Sequence, residues 1–266
     1  MLGRLGIATG DVLFLHSGLG WFGGGLGAAR SLLVALLEAI GPSGTLFMPS
    51  YPWTDDRNGM SMQSHTFDVR SSPARTGILC ELFRRWPGVM RSEHLWVPVC
   101  GHGPLAAAML DSQLHVVNAF AGDGFFHRLY AHDAKLVGLG VSLNTSSATH
   151  VLDADLRDLL PADIFVPIEG RVVDRGGQTH DVRCEVFSPD ASRSYNIRAI
   201  FAERPALRAQ LTSFQAGSAL CFSYPLSDFR AQALDAGRAA LATGRLPPWL
   251  VAADAAGTGA IEDSAS

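Results

Sequence analysis

The chain has 266 residues, of which 47% are hydrophobic and 17% charged, so it can build a sizeable core and is not a predominantly disordered protein. A formal net charge of −4 at pH 7 gives no overall attraction to nucleic acid or to acidic membranes. We therefore predict one globular domain over residues 1–251, followed by a flexible tail of small and polar residues over 252–266.

The cysteines and the apolar runs indicate the cellular compartment of the protein. The four cysteines are far apart and form no CxxC pair, which is typical of a reducing compartment. The N-terminus lacks the continuous apolar stretch of a signal peptide, and no run approaches the roughly 18 apolar residues of a membrane span. We predict a cytoplasmic protein with neither a membrane nor a nucleic acid as partner. The sequence is silent on its oligomeric state.

A strand, a glycine-rich turn and a helix open the chain. Residues 11–17 form a continuous apolar run that ends in His16 and Ser17, which is typical of a buried strand. Residues 18–27 are rich in glycine, and a helix with a leucine stripe follows. The turn matches the dinucleotide-binding pattern GxGxxG, but the next strand, residues 44–49, ends without the acidic residue that would bind a ribose hydroxyl. We keep only the prediction that this turn lets the backbone approach a ligand closely.

Residues 50–72 are predicted to be irregular. Loops of this length are commonly functional, and the aromatic residues of this one argue against disorder. Asp55 and Asp56 within it could bind a cationic substrate, or they could be two solvated carboxylates.

A second helix is predicted to begin within residues 72–76, where Pro73 precedes a helical apolar pattern. The backbone amides of its first turn, together with Arg75, would form a site for phosphate or pantetheine groups. The remaining predicted elements are a strand over 95–100, a helix over 106–110, a glycine-broken loop over 120–126, a buried strand over 135–141, a hairpin formed by 164–168 and 171–184, and helices over 196–210 and 228–242.

The residues that follow the strand over 135–141 hold the clearest candidate for chemistry. Apolar residues just after His150 have helical spacing, so His150 and Asp153 lie three positions apart on one helical face. A carboxylate beside an imidazole orients it and raises its basicity, which suits a general base acting on an amine or a hydroxyl. The alternative is an ordinary helix N-terminus, with Ser147 or Thr149 as cap and Asp153 favoured there by the helix dipole.

Several short motifs follow one another in a fixed order over roughly residues 5–160. They are His16-Ser17-Gly18-Leu19, Gly24-Gly25, Gly41-Pro42-Ser43-Gly44-Thr45-Leu46, Met48-Pro49, Phe67-Asp68, Pro73, Gly77, Glu81, Arg91-Ser92-Glu93-His94, Leu139-Gly140 and Thr149-His150. No single motif is specific, but the ordered set resembles the aminoglycoside 3-N-acetyltransferase family. This resemblance implies an α/β fold, a three-layer α/β/α domain with a central mixed sheet and a cleft for acetyl-CoA.

The resemblance also implies an activity, an acetyl-CoA-dependent N-acetyltransferase acting on an amine of an aminoglycoside or a related amino sugar. His150 then stands at the family's general-base position, and Asp153 supports it where the family typically has a glutamate. An amine attacks a thioester only when neutral, so a base must take its proton. The implied cofactor contacts are His16, Ser17, Gly18, Leu19, Arg75, Thr76 and Gly77. The implied substrate contacts are Asp55, Asp56, His94, Asp123 and Phe125.

Departures from the family pattern keep two other functions open. Leu95 replaces a typical proline, and Phe125-Phe126 replaces an expected Ser-Pro pair. These changes would suit a biosynthetic N-acyltransferase for an amino sugar or another amine metabolite, or a CoA-binding relative that has lost catalysis. A metal site is not predicted, because the nine histidines include no HExxH motif and no Cys/His cluster with ligand spacing.

Overall fold

The computed structural model describes residues 1–22, 25–53, 66–188 and 195–251. The α-helices in these ranges are α1 (Leu26–Ile40), α2 (Ile78–Arg84), α3 (Ala106–Leu110), α4 (Phe125–Ala131), α5 (Val151–Asp155), α6 (Arg198–Glu203), α7 (Pro205–Gln210) and α8 (Leu226–Ala242). The strands are β1 (Val12–Ser17), β2 (Thr45–Pro49), β3 (Thr66–Asp68), β4 (Met90–Arg91), β5 (Val99–His102), β6 (Lys135–Leu139), β7 (Phe165–Val173), β8 (Thr179–Phe187), β9 (Thr212–Ala216) and β10 (Ala219–Pro225).

The central sheet has seven strands in the order β4-β5-β2-β1-β6-β10-β9. β1 lies between β2 and β6 and is parallel to both, whereas the other neighbouring pairs are antiparallel. The prediction of a mixed sheet is thus confirmed. β1 and β2 run parallel because α1 connects them, and a helical crossover brings the chain back to the same end of the sheet.

Helices cover both faces of this sheet. On one face, α1 and α2 pack through an aliphatic cluster that includes Leu33. On the other face, α3, α4 and α8 pack through an aromatic cluster that includes Phe126. Because side chains alternate along a strand, Leu13 of β1 faces the aliphatic cluster and Phe14 faces the aromatic cluster. This layering is the α/β/α architecture that the resemblance implied.

A smaller sheet contains the predicted hairpin. β7 and β8 pair antiparallel from Phe165 opposite Phe187 to Val173 opposite Thr179, and β3 lies parallel to β7. Phe165 and Phe187, at the open end of the hairpin, belong to the aromatic cluster. The Phe187 ring also packs on His150, with ring centroids 4.0 Å apart, so the hairpin lies beside the residues that follow β6.

Two predicted element starts in the first half of the chain are wrong. α2 begins at Ile78 because Gly77 has a φ of +123°, which a helix does not allow, so Arg75 and Thr76 lie before the helix. The predicted strand over 95–100 begins only at Val99. Before it, the Nδ1 atom of His94 accepts hydrogen bonds from the amides of Trp96 and Val97 at 3.2 Å, which holds that segment in a turn.

Two further predictions from the later part of the chain need correction. The loop predicted over 120–126 ends at Gly124, and Phe125 and Phe126 form the first turn of α4. The helix predicted over 196–210 is divided into α6 and α7. The break falls at Arg204, because the proline that follows disfavours helical geometry at the residue before it.

No sequence pattern predicted β9 and β10, which complete the sheet beyond β6. β10 places Phe222 opposite Gly138 of β6, where a Cβ atom would lie 2.2 Å from the phenylalanine ring, so the ring requires a glycine there. Every helix in the described ranges is too short or too polar to span a membrane. The predicted tail over 252–266 lies outside the described residues, and the single domain over 1–251 stays a prediction.

Candidate active site

The carboxyl ends of β1 and β6 form the centre of the candidate site. In open α/β sheets, ligands bind outside the carboxyl ends of the strands where the strand order reverses, and here β1 has β2 on one side and β6 on the other. The amide of Gly18 donates to the carbonyl of Leu139 at 2.8 Å. A Cβ atom at Gly18 would lie 2.5 Å from the carbonyl oxygen of Gly140, so glycine is required for this close approach.

His16, at the end of β1, is a neutral and buried imidazole. His16 is 5% exposed, and burial lowers the pKa of its imidazole to about 4. Its Nε2 atom is buried and has no hydrogen-bond partner among the described residues. A buried polar atom of this kind is costly unless a ligand or water completes it. Within the described part of the chain, His16 thus has an unpaired polar atom at the predicted cofactor position, and its contact with a cofactor stays a prediction.

The segment before α2 lies against the ends of β1 and β2. The Thr76 hydroxyl donates to the carbonyl of Pro49 at 2.9 Å, and the Arg75 amide donates to the carbonyl of Tyr51 at 2.8 Å. A Cβ atom at Gly77 would lie 3.4 Å from the Ser17 carbonyl oxygen. The structure thus brings the two predicted groups of cofactor residues together, with Arg75 exposed and Leu19 largely buried.

A cysteine beside these residues has no thiolate character. Burial raises the pKa of the Cys80 thiol to about 12, and hydrogen bonds with Thr76 and Ser17 counteract this only in part. A thiol must ionise to act as a nucleophile. Cys80 therefore serves packing, and the geometry gives no support to a covalent enzyme intermediate at this position.

His150 and Asp153 form a hydrogen-bonded pair, which confirms the predicted contact. The 3-10 helix Ser147–His150 runs directly into α5, and this helical geometry brings residues three apart together. The Nδ1 atom of His150 lies 3.0 Å from Oδ2 of Asp153. The alternative prediction, in which Ser147 or Thr149 caps the helix, is wrong. Neither hydroxyl makes a cap hydrogen bond to these helices, and the Thr149 hydroxyl instead donates to the carbonyl of Ser146 at 2.7 Å.

Asp153 is deeply buried and fully hydrogen-bonded. The residue is 1% exposed, and its second oxygen, Oδ1, accepts a hydrogen bond from the indole Nε1 of Trp249 at 2.7 Å. Burial raises the pKa of the Asp153 carboxyl, and the hydrogen bonds from His150 and Trp249 oppose that rise. Because Nδ1 of His150 faces this carboxylate, the Nε2 atom is left to accept a proton.

Aromatic rings surround the His150 imidazole. Ring centroids lie 4.0 Å away for Phe187, 4.6 Å for Tyr195 and 5.3 Å for Phe120. The Tyr195 hydroxyl donates to Thr149 Oγ1 at 3.0 Å, which ties this ring to the turn that carries His150. The His150 side chain remains 17% exposed, so a substrate can reach it.

Sequence reasoning missed Trp249, Tyr195, Phe187 and Phe120 as parts of the site. Trp249 and Asp153 are 96 positions apart along the chain, and Tyr195 and Thr149 are 46 apart. No local pattern connects residues at such distances. A lone aromatic residue in an apolar segment has the same signature whether it packs in the core or beside a catalytic group.

The predicted substrate residues are placed in different ways. Asp55 and Asp56 lie outside the described residues. Phe125 is 2% exposed and its ring packs on Phe14 and Phe47, so it is a core residue rather than part of an open pocket. His94 is also 2% exposed, and its contact with a substrate stays a prediction. Asp123 is exposed on the turn before α4. Within the described ranges, no group of three or more His, Cys, Asp or Glu residues could hold a metal ion.

Comparisons with known proteins point to one family. A family model described as aminoglycoside 3-N-acetyltransferase matches residues 14–235. Aminoglycoside N(3)-acetyltransferase IX of Micromonospora chalcea is 30% identical over 166 residues, which are 58% of this chain and 59% of that protein. The chain thus aligns with less than two thirds of this relative.

Solved structures share the fold. The crystal structure of aminoglycoside acetyltransferase AAC(3)-Xa superposes with a TM-score of 0.71 at 23% identity and covers 88% of each chain. A binary structure of AAC-IIIb with CoASH superposes with a TM-score of 0.69 at 22% identity, over 88% of this chain and 92% of that one. The family match includes β1 from Phe14 onward and the residues around His150, together with most of the central sheet. The chain therefore belongs to the aminoglycoside 3-N-acetyltransferase family.

Proposed function

We propose that this protein transfers the acetyl group of acetyl-CoA to an amine of an aminoglycoside or a related amino sugar, with His150 as general base. The observation that carries the proposal is the contact between His150 Nδ1 and the buried Asp153 carboxylate at 3.0 Å. It leaves the second imidazole nitrogen, Nε2, of a partly exposed His150 side chain beside a buried negative charge, as a base for an amine requires.

The reaction needs no covalent enzyme intermediate. As the acceptor nitrogen forms a bond to the thioester carbonyl carbon, its proton passes to Nε2 of His150. The C–S bond then breaks, and the sulfur leaves as the CoA thiolate, which takes up the proton held on His150 and so returns the imidazole to its neutral form. Asp153 stabilises the imidazolium during the attack, and the three aromatic rings around His150 exclude water and so strengthen this charge interaction.

The cosubstrate would lie along the carboxyl ends of β1 and β2. His16 has an unsatisfied Nε2 there among the described residues, and Gly18 and Gly77 permit close backbone approach. Exposed Arg75 would meet phosphate groups. These donor groups fit a pantetheine and phosphate ligand, and a solved structure of the same fold is a binary complex with CoASH, which supports CoA as the cosubstrate.

A less cationic amine is the second candidate acceptor. His150 is bordered by aromatic rings, and the Glu185 carboxylate on β8 already forms a two-point ion pair with Arg157 at 2.7 and 3.0 Å. A carboxylate engaged in this way is less available to an acceptor's ammonium group. A biosynthetic amino sugar would suit this environment.

An acetyl-transfer assay tests both candidates. Calorimetry should first detect CoA binding, and the absence of binding at millimolar CoA would remove the whole proposal. CoA thiol release is then followed with an aminoglycoside, which carries several ammonium groups, and with an amino sugar of similar size that carries a single free amine. Preference for the aminoglycoside supports the resistance-type activity, and preference for the amino sugar supports the second candidate. If neither acceptor causes release of the CoA thiol, both candidates are contradicted.

A further inference from the structure

We propose that Trp249 is a positioning residue that holds the Asp153 carboxylate in the orientation from which it pairs with His150. This inference rests on the proposed function of the His150–Asp153 pair. The indole Nε1–H donates to Oδ1 at 2.7 Å, while Oδ2 lies 3.0 Å from His150 Nδ1. Trp249 lies beyond residues 14–235, so the family match does not include it.

The fold fixes the indole from several sides. Trp249 is 0% exposed in the 3-10 helix Pro248–Leu250, and its carbonyl accepts a hydrogen bond from the Asn196 amide at 2.8 Å. On α8, a Cβ atom at Gly237 would lie 2.7 Å from the Trp249 ring. Glycine there makes room for the indole. A ring held at both its backbone and its face can direct one N–H with little freedom.

The hydrogen bond matters because Asp153 is sealed from water. A carboxylate that is 1% exposed must find its partners within the protein: Trp249 donates to Oδ1, His150 faces Oδ2, and the Tyr195 side chain adds a further, smaller interaction. Loss of the indole donor would leave Oδ1 buried without this partner and free the carboxylate to rotate. The His150 ring would then lose its fixed orientation toward the acceptor.

The other titratable groups packed around the His150–Asp153 pair add no net charge to it. Burial raises the pKa of Tyr195 and of Tyr130 far above the ordinary tyrosine range, so both phenols stay neutral. Asp155 is neutralised by Arg230 through contacts of 2.7 and 2.9 Å. A change at Trp249 therefore acts on the His150–Asp153 pair without recruiting a new charge.

Trp249→Phe tests the inference because it keeps an aromatic ring and removes the N–H. The indole N–H stabilises the His150–Asp153 pair more strongly when the pair carries one negative charge than when a bound proton has neutralised the pair. Its loss should therefore raise the proton affinity of the pair, moving the acid limb of kcat/KM to higher pH by about one unit. Above this limb, kcat should fall roughly 10-fold, with the KM for acetyl-CoA unchanged.

A measurement without substrate separates this inference from the proposed function. The NMR titration of the His150 ring, assigned by its disappearance in His150→Ala, should move in the same direction in Trp249→Phe. Trp86→Phe, on the opposite face of the sheet, is the matched control and should titrate like the wild type. If Trp249→Phe unfolds, the benzothiophene analogue of tryptophan at position 249 keeps the ring shape and removes only the N–H.

Two results would overturn the inference. If the His150 titration and kcat of the Trp249 variants equal those of Trp86→Phe, the indole only packs. If kcat falls while the titration stays in place, the loss comes from general destabilisation and not from the carboxylate. A wild-type protein that transfers no acetyl group would instead contradict the proposed function, and the NMR titration would still decide whether Trp249 holds the pair.

Discussion

The two faces of the central sheet differ in both composition and origin. The face covered by α1 and α2 is almost entirely aliphatic, with Leu33 and Leu36 against the leucines of β1. The other face is crowded with aromatic rings and borders His150. The aliphatic face is built mainly from consecutive elements near the start of the chain, whereas the site face collects segments as distant as Asp153 and Trp249. The comparison shows that the scaffold face depends more on elements that are close along the chain, and the site face more on elements that are distant along it.

His150→Ala should give the largest change in activity and little change in stability. The side chain is 17% exposed, so its removal leaves a small cavity. Loss of the base should lower kcat/KM by roughly 10² to 10⁴. Steady-state kinetics with CoA-binding calorimetry check this, and His132→Ala, an exposed histidine, is the control. A variant that keeps the wild-type rate and the rise of kcat/KM with pH would make His150 structural.

Asp153→Asn should have a smaller effect on turnover, roughly 10²-fold, with CoA affinity unchanged. The amide keeps the shape of the side chain but removes the charge that stabilises the imidazolium, so the acid limb of kcat/KM should move to lower pH. The pH profile therefore moves in the direction opposite to that expected for Trp249→Phe. Wild-type turnover in Asp153→Asn would limit this residue to a structural role in α5.

Leu33→Ala should separate the scaffold face from the site face. Leu33 is fully buried in the aliphatic cluster, and such truncations cost about 2–5 kcal/mol of the free energy of unfolding. Urea unfolding should show this loss, while kcat per folded molecule below the unfolding transition stays near that of the wild type. A fall in kcat comparable to that of Asp153→Asn would mean that the aliphatic face also controls the geometry of the pair.

Glu81→Gln should give the smallest effect and one that depends on pH. The Arg84 guanidinium lowers the pKa of Glu81 to about 2, aided by the Ala74 amide and Arg85. A lowered pKa stabilises the folded state above the unfolded value of 4.5, and this contribution is lost as the pH falls through about 2.

At pH 7 the Glu81→Gln variant should therefore lose roughly 1 kcal/mol of the free energy of unfolding, since the side chain is partly exposed. Near pH 2 the difference from the wild type should vanish. Chemical denaturation at both pH values measures it, and Glu38→Gln on α1 is an exposed control. An equal loss at both pH values would contradict the charge origin of the effect.

Features that depend on neighbouring residues along the chain could be predicted from the sequence. The apolar run ending in His16 and Ser17 predicted β1, and leucine spacing predicted α1. The same local logic placed His150 and Asp153 on one helical face, since residues three apart meet in any helix. The ordered motifs also identified the family, because their order survives changes in individual residues.

The distant side chains that complete the site could not be predicted from the sequence, because tertiary packing brings them together. Phe125, predicted as a substrate contact, is buried among Phe14 and Phe47 because α4 packs on the sheet. Trp249 and Tyr195 reach the His150 pair through chain segments that no periodicity links to it. Helical and strand patterns report which side of an element is buried, and they carry no information on which other element covers it, because that depends on packing across the whole fold.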